Sequence, residues 1–309
     1  MPEAECACLI KQIQDRTGEL SDGCKRLHKE TISRAPEIVL RMPCILWAVA
    51  IMTVTLLLLS SCQTVPVTGR QQISIVPSST ILPMSFNSYS EFISKHKVIE
   101  HGSQAQSVKR VGANIQYAVE RYMSEHNLTD RLSGYKWEFN LVDDKQINAW
   151  CMPGGKVVVY TGILPVAVDD TGIAVVMGHE IAHAIANHGG ERMSQGLLAQ
   201  MGGMALSEAI SQKPQETQKL FMGAYGLGAQ VGVLLPYGRV QESEADHLGL
   251  VFMAMAGYDP RAAVDFWKRM AAKKEGAAPP EFLSTHPADA TRIRDIERLI
   301  PEAMSYYKR

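Results

Sequence analysis

The chain has 309 residues, enough for one large or two small domains, with a formal net charge of −1 and 46% hydrophobic residues. Its 31 basic and 32 acidic side chains nearly cancel, which leaves no electrostatic footprint for a polyanion and excludes nucleic acid as an expected partner. The apolar fraction is that of an ordinary globular protein.

Residues 1–41 are polar, with scattered charges and no clear periodicity, and are expected to be a non-functional upstream extension. From Pro43 to Ser61 the chain carries no charge. Such a run reads either as a spanning anchor or as the apolar part of a secretory signal. Leu59-Ser60-Ser61-Cys62 resembles the bacterial lipobox, so Met42 is the expected start, 42–61 a lipoprotein signal peptide, and Cys62 the lipidated first residue of the mature chain. Gln63, where Asp would mark retention, points by the same resemblance to the outer membrane. The expected location is therefore the bacterial cell envelope on its periplasmic side, held to the membrane by a lipid anchor. Cys6, Cys8, Cys24 and Cys44 precede the cut, which leaves Cys62 and Cys151 and no disulfide framework within one mature chain.

Residues 62–102 are expected to be a tether and N-terminal segment, and 103–309 the main domain. Val108, Val111, Ile115, Ala118, Val119 and Tyr122 recur at helical spacing, predicting a packing helix over residues 103–123. Strict alternation from Tyr135 to Leu141 and the β-branched run Lys156–Thr161 predict strands, with a short one over 147–150 and a turn through Met152-Pro153-Gly154-Gly155.

Residues 178–188 read Gly-His-Glu-Ile-Ala-His-Ala-Ile-Ala-Asn-His. On a helix, His179 and His183 stand one turn apart on one face and can reach a single ion. Glu180 falls beside that ion, where a carboxylate acts as general base toward water. Apolar neighbours on all sides predict a buried helix, and buried histidines need partners, which zinc would supply. His188 lies about 180° from His179 if the helix continues, which rules it out as a ligand of the same ion.

Met193 to Leu235 is rich in Gly, Ala, Met and Leu and is predicted to form a helical hairpin, read first as adaptable core and second as a mobile cover over the cleft. Gln241-Glu-Ser-Glu-Ala-Asp-His247 opens an apolar helix on which Glu242 and Asp246 share a face while Glu244 points nearly opposite. Glu242 is the candidate third ligand and Asp246 the carboxylate on a ligand imidazole. The alternative is an acidic helix start stabilised by its dipole. Asp259-Pro260 and the stretch after Pro287 open two further helices. A small sheet beside the motif helix is the layout these elements imply: α+β, predominantly helical.

Asn148-Ala149-Trp150 with Pro153-Gly154-Gly155, His179-Glu-Ile-Ala-His183, Glu242 with Ala245-Asp246, and Ser284-Thr-His286-Pro287 with Arg292-Ile293 together resemble the gluzincin metallopeptidase family of HtpX, BepA, LoiP and the CAAX prenyl proteases. The likeness is strongest to its bacterial periplasmic lipoprotein members. That resemblance implies a zincin-type catalytic helix beside a small sheet, and an endopeptidase of membrane-associated or misfolded envelope proteins. It implies one zinc per chain, with His179, His183 and Glu242 as ligands and Glu180 as base. His286, from a His-Pro turn close to the metal in that family, is the candidate donor to the tetrahedral intermediate; its alternative is a surface residue capping the following helix. Asn148, Ala149, Gly154 and Gly155 are assigned to a substrate edge strand, and backbone pairing to either 147–151 or 156–161 would tolerate many polypeptide sequences. An assembly factor or chaperone with a masked zinc site is the alternative function. The oligomeric state is open.

Overall fold

In the computed structural model, residues 62–230, 235–273, 280–288 and 290–307 are described. The expected extension 1–41 and signal 42–61 lie outside them. Cys62–Thr64 (β1) and Gln71–Ile73 (β2) pair antiparallel, with Gln63 opposite Gln72, as a two-stranded unit of their own.

The main unit begins with the turn Val65–Gly69 and continues from Ser74. A helix that periodicity did not reveal, Ser78–Lys95 (α1), leads through the short strand Val98–Ile99 (β3) into Ser103–Glu125 (α2). Glu138–Val142 (β4), Ala149–Met152 (β5) and Lys156–Tyr160 (β6) follow. The sheet order is β3-β4-β6-β5, with β4 and β6 parallel and the outer pairs antiparallel.

Burial explains this order. All five residues of β6 are buried, as a run of branched side chains covered on both faces requires. Val157, Val159 and Leu141 join the main core, which takes in Val108, Ile115 and Val119 of α2. Val158, Tyr160 and Val142 face the opposite way, onto Tyr89 and Phe92 of α1. The segment 62–102, expected to be a tether and N-terminal segment, thus contributes one cover of the sheet.

After a short turn of helix at Leu164–Ala167 (α3), the motif helix Asp170–Ile185 (α4) starts at Asp169, whose side chain accepts a 2.9 Å hydrogen bond from Gly172 N. From Gly172 to Ile185 every residue of α4 is buried, as its composition predicts. His188–Ala209 (α5) and Gln215–Ala229 (α6) form the expected hairpin. Leu235–Met255 (α7) packs along α4, followed by Ala262–Ala272 (α8), Glu281–Thr285 (α9) and Ala290–Tyr306 (α10). The predominantly helical α+β class is as expected.

The crossing of α4 and α7 depends on two glycines. A Cβ on Gly249 would stand 2.9 Å from His179 N and 3.0 Å from Gly178 C; one on Gly178 would stand 3.0 Å from Gly249 O. The two backbones therefore touch one residue before His179 and three after Asp246, which sets the motif helix against the acidic helix.

Candidate metal centre

Four side chains converge at this crossing: His179 and His183 from α4, Glu242 from α7, and His286 from the loop that ends α9. Nε2 of His183 lies 3.1 Å from Nε2 of His179. Glu242 reaches both, Oε2 at 3.4 Å from His179 Nε2 and Oε1 at 3.3 Å from His183 Nε2. Nδ1 of His286 stands 3.2 Å from His179 Nε2 and 2.9 Å from Glu242 Oε2. Glu242 sits about two turns into α7, so the alternative of an acidic helix start does not hold there.

Two imidazoles and a carboxylate are the donor set of a catalytic zinc site, and these are near enough to share one ion. A second observation concerns Glu180. Its carboxylate is buried beside the cluster, and Oε1 finds no hydrogen-bond partner among the described residues. Nε2 of His286 lies 3.5 Å from it. A buried carboxylate oxygen left without a protein donor is suited to water or substrate.

The electrostatics follow from burial and pairing. Burial and the Arg292 guanidinium oppose a charge on His179, but hydrogen bonds with Asp246 and Glu242 outweigh them and lift its pKa to about 9. Burial drives that of His183 well below the usual imidazole value. Burial also raises Glu180 above the ordinary carboxylate range. For Glu242 burial acts in the same sense, but hydrogen bonds with His179, His183 and His286 overcome it and hold the carboxyl well below that range.

Asp246 lies where its spacing from Glu242 put it, with Oδ1 3.0 Å from His179 Nδ1. Sequence reading missed what holds it. Arg292 from α10 donates through Nε to Oδ2 and through Nη2 to Oδ1, each at 2.8 Å, and stacks 3.5 Å over the Trp267 ring. Its one signal in the sequence is its place, with Ile293, after Ser284-Thr-His286-Pro287 in the set of residues that resembles the gluzincins.

Two expectations hold but with unforeseen surroundings, and two need correction. Glu244 stays out of the cluster, as its spacing predicts, but that side of the helix is buried: it is 5% exposed, with Oε2 3.3 Å from His188 Nε2 and Oε1 accepting from Thr68 Oγ1 at 2.6 Å. His188 stays out of the four-residue cluster, but α4 stops at Ala186 and Asn187 takes a left-handed φ of 57°, so His188 turns back onto His183. Lys156–Tyr160 cannot serve as the edge, because β6 is paired on both sides; the edge is β5, which contains Ala149 and begins just after Asn148. Gly154 and Gly155 are not on that edge. They form the turn to β6 at φ of 89° and 82°, packed under Phe86 and Trp137, and their carbonyls accept from Lys136 N and Glu138 N.

Comparison with known proteins revises the setting. The chain is 32% identical to the "Mitochondrial metalloendopeptidase OMA1" of Schizosaccharomyces pombe over 250 residues, 77% of this chain and 66% of that protein. It is 35% identical to the protein of that name from Saccharomyces cerevisiae over 187 residues, 57% of this chain and 51% of the relative. To the "Beta-barrel assembly-enhancing protease" of Yersinia pestis it is 31% identical over 163 residues, covering 52% and 33%. The chain thus spans about two thirds or less of the length of these relatives. The relatives with the longest matches are mitochondrial by name, which overturns the expected location in a bacterial envelope, lipid-anchored to an outer membrane. Residues 110–300 match Peptidase family M48, a span that takes in both helices of the crossing and all four clustered side chains, and the chain belongs to that family.

Proposed function

We propose that this chain is a zinc-dependent endopeptidase of membrane-associated or misfolded proteins, acting in protein quality control. His179, His183 and Glu242 hold one zinc per chain, Asp246 orients His179, and Glu180 is the general base. The observation that carries this reading is the pairing of a compact His-His-Glu donor set with a buried Glu180 oxygen that accepts no hydrogen bond among the described residues.

Zinc, when bound, supplies Lewis acidity toward the scissile carbonyl and lowers the pKa of its water toward about 7. Glu180 takes the proton of the attacking water and returns it to the leaving amine; burial, by raising its pKa, suits it to both directions of transfer. His286 donates to the charge that develops on the carbonyl oxygen. An extended polypeptide pairs with β5. Because Tyr160 N bonds Asn148 O, the antiparallel alternation turns the amide and carbonyl of Cys151 away from β6, toward the open side. Main-chain pairing there reads shape rather than sequence.

One contact favours a second reading. His286 Nδ1 stands among the ligand atoms, so this side chain can also complete the donor set and mask the site, as an assembly factor or chaperone with an idle centre would need.

Glu180→Gln separates these readings. The variant is expected to keep about one zinc per chain by metal analysis while casein hydrolysis falls by roughly two to four orders of magnitude. His179→Ala is expected to lose both. Casein digestion by Glu180→Gln at the wild-type rate would remove the hydrolytic mechanism.

A further inference from the structure

His188, Glu244 and Thr68 are buried or partly buried polar groups that the mechanism above does not use, and they lie end to end. Nδ1 of His188 is 2.8 Å from Nδ1 of His183. On its other side, Nε2 of His188 is 3.3 Å from Glu244 Oε2, and the second Glu244 oxygen accepts the 2.6 Å bond from the Thr68 hydroxyl. His188 is fully buried.

We propose that these three are positioning residues: a relay that fixes the tautomer and ring orientation of His183, and makes the turn Val65–Gly69 part of the metal centre. The proposal rests on the reading of His183 as a ligand. Two imidazole nitrogens 2.8 Å apart bond only if one carries the proton and the other a lone pair. With the Nε2 lone pair of His183 turned to the cluster, its proton is on Nδ1 and His188 accepts there. His188 must then carry its own proton on Nε2, which points it at Glu244. The opposite assignment would place a proton on His183 Nε2 and remove a ligand.

The two ligand histidines are thus held differently. Asp246 touches Nδ1 of His179 directly, whereas the carboxylate serving His183 acts through an interposed imidazole. Such outer contacts set ligand orientation and basicity.

The far end of the relay is built rather than incidental. Thr68 sits in a turn closed by Thr68 N on Pro66 O at 2.7 Å and Gly69 N on Val65 O at 3.0 Å. Val67 is held at φ 65°, a region that β-branched residues rarely enter, and Val65 is buried in the core. Backbone held in such a conformation persists only where its surroundings over-determine it. Thr68 lies 176 residues from Glu244 and outside the span 110–300 of the family match, so nothing local brings them together.

The test measures zinc affinity of the full chain by chelator competition, with the melting temperature of the metal-free protein as a fold control. His188→Phe is expected to weaken zinc binding by about 10- to 100-fold. Thr68→Val should weaken it by a smaller factor, and Thr68→Ser should restore the wild-type value. Nitrogen NMR of labelled histidine in the zinc-loaded wild type should find His183 protonated at Nδ1 and His188 at Nε2. Unchanged affinity in both His188→Phe and Thr68→Val, or the reversed tautomers, would overturn the relay. Should His188→Phe fail to fold, the Thr68 pair decides, and equal affinities for Val and Ser would overturn it. A wild-type chain that binds no zinc fails the metal reading itself, which is a different result from zinc binding that ignores these variants.

Discussion

At the scale of single residues, Arg292 is the side chain with the most at stake. It forks onto Asp246, approaches Glu242 Oε2 at 3.2 Å and covers the Trp267 ring, all while nearly buried. Removing it takes two charge-assisted hydrogen bonds from the buried Asp246 carboxylate, a loss of about 3–5 kcal/mol for a broken buried pair. Arg292→Ala should therefore lower unfolding stability by that order in denaturant titrations. Arg292→Lys should recover only part of it, since an ammonium keeps the charge but cannot present two parallel donors or the same stacking face. Full recovery by lysine would mean that charge alone matters. The sequence placed Asp246 correctly because Glu242 and Asp246 are one turn apart, a local relation. Arg292 comes from another helix, 46 residues on, and no spacing rule reaches it.

At the scale of elements, the site exists because α4 and α7 cross with their backbones in contact. Gly249→Ala is expected to force them apart, since its Cβ would meet backbone atoms of Gly178 and His179 at 2.9–3.1 Å and neither can move alone. Overpacking of this kind costs about 1–3 kcal/mol. A loss of zinc affinity should accompany it, because His179 and Asp246 flank the contact. Wild-type stability together with wild-type zinc binding in Gly249→Ala would show that the crossing tolerates a methyl group. Periodicity predicts α2, and composition predicts the burial of α4, the hairpin and the apolar part of α7. Periodicity did not reveal α1, whose Pro83 and mixed faces weaken the pattern. Nor did it decide which strand is the edge. β5 and β6 are both short, and pairing makes one of them central.

At the scale of the whole molecule, the unexpected feature is the hairpin of α5 and α6. It was read first as adaptable core, yet α6 has no buried residue. Met201, Met204, Leu220, Phe221 and Leu227 are between 51% and 70% exposed. Among the described residues no single helix is long and apolar enough to cross a membrane. These side chains contribute little to the core, so replacing Met201, Met204, Leu220 and Phe221 together with serine should shift stability by no more than about 0.5 kcal/mol per site. It should also reduce self-association measured by light scattering, since exposed apolar surface drives it. A collapse of the melting temperature in that variant would return the hairpin to the core.

Single helices encode part of the site locally: two histidines on one face with a glutamate beside them on the first, and two carboxylates one turn apart on the second. Those relations hold wherever the helices go, because 100° per residue is a property of the backbone. Tertiary structure decided the rest. Asn187 in a left-handed conformation ended α4 and turned His188 from an excluded ligand into a neighbour of His183. Long-range folding brought Thr68 to Glu244 and made a nominally outward acid a buried one. The angular rule assigned Glu244 to the far side correctly, but what lies on the far side of a buried helix is set by the elements packed there, and no local pattern carries that information.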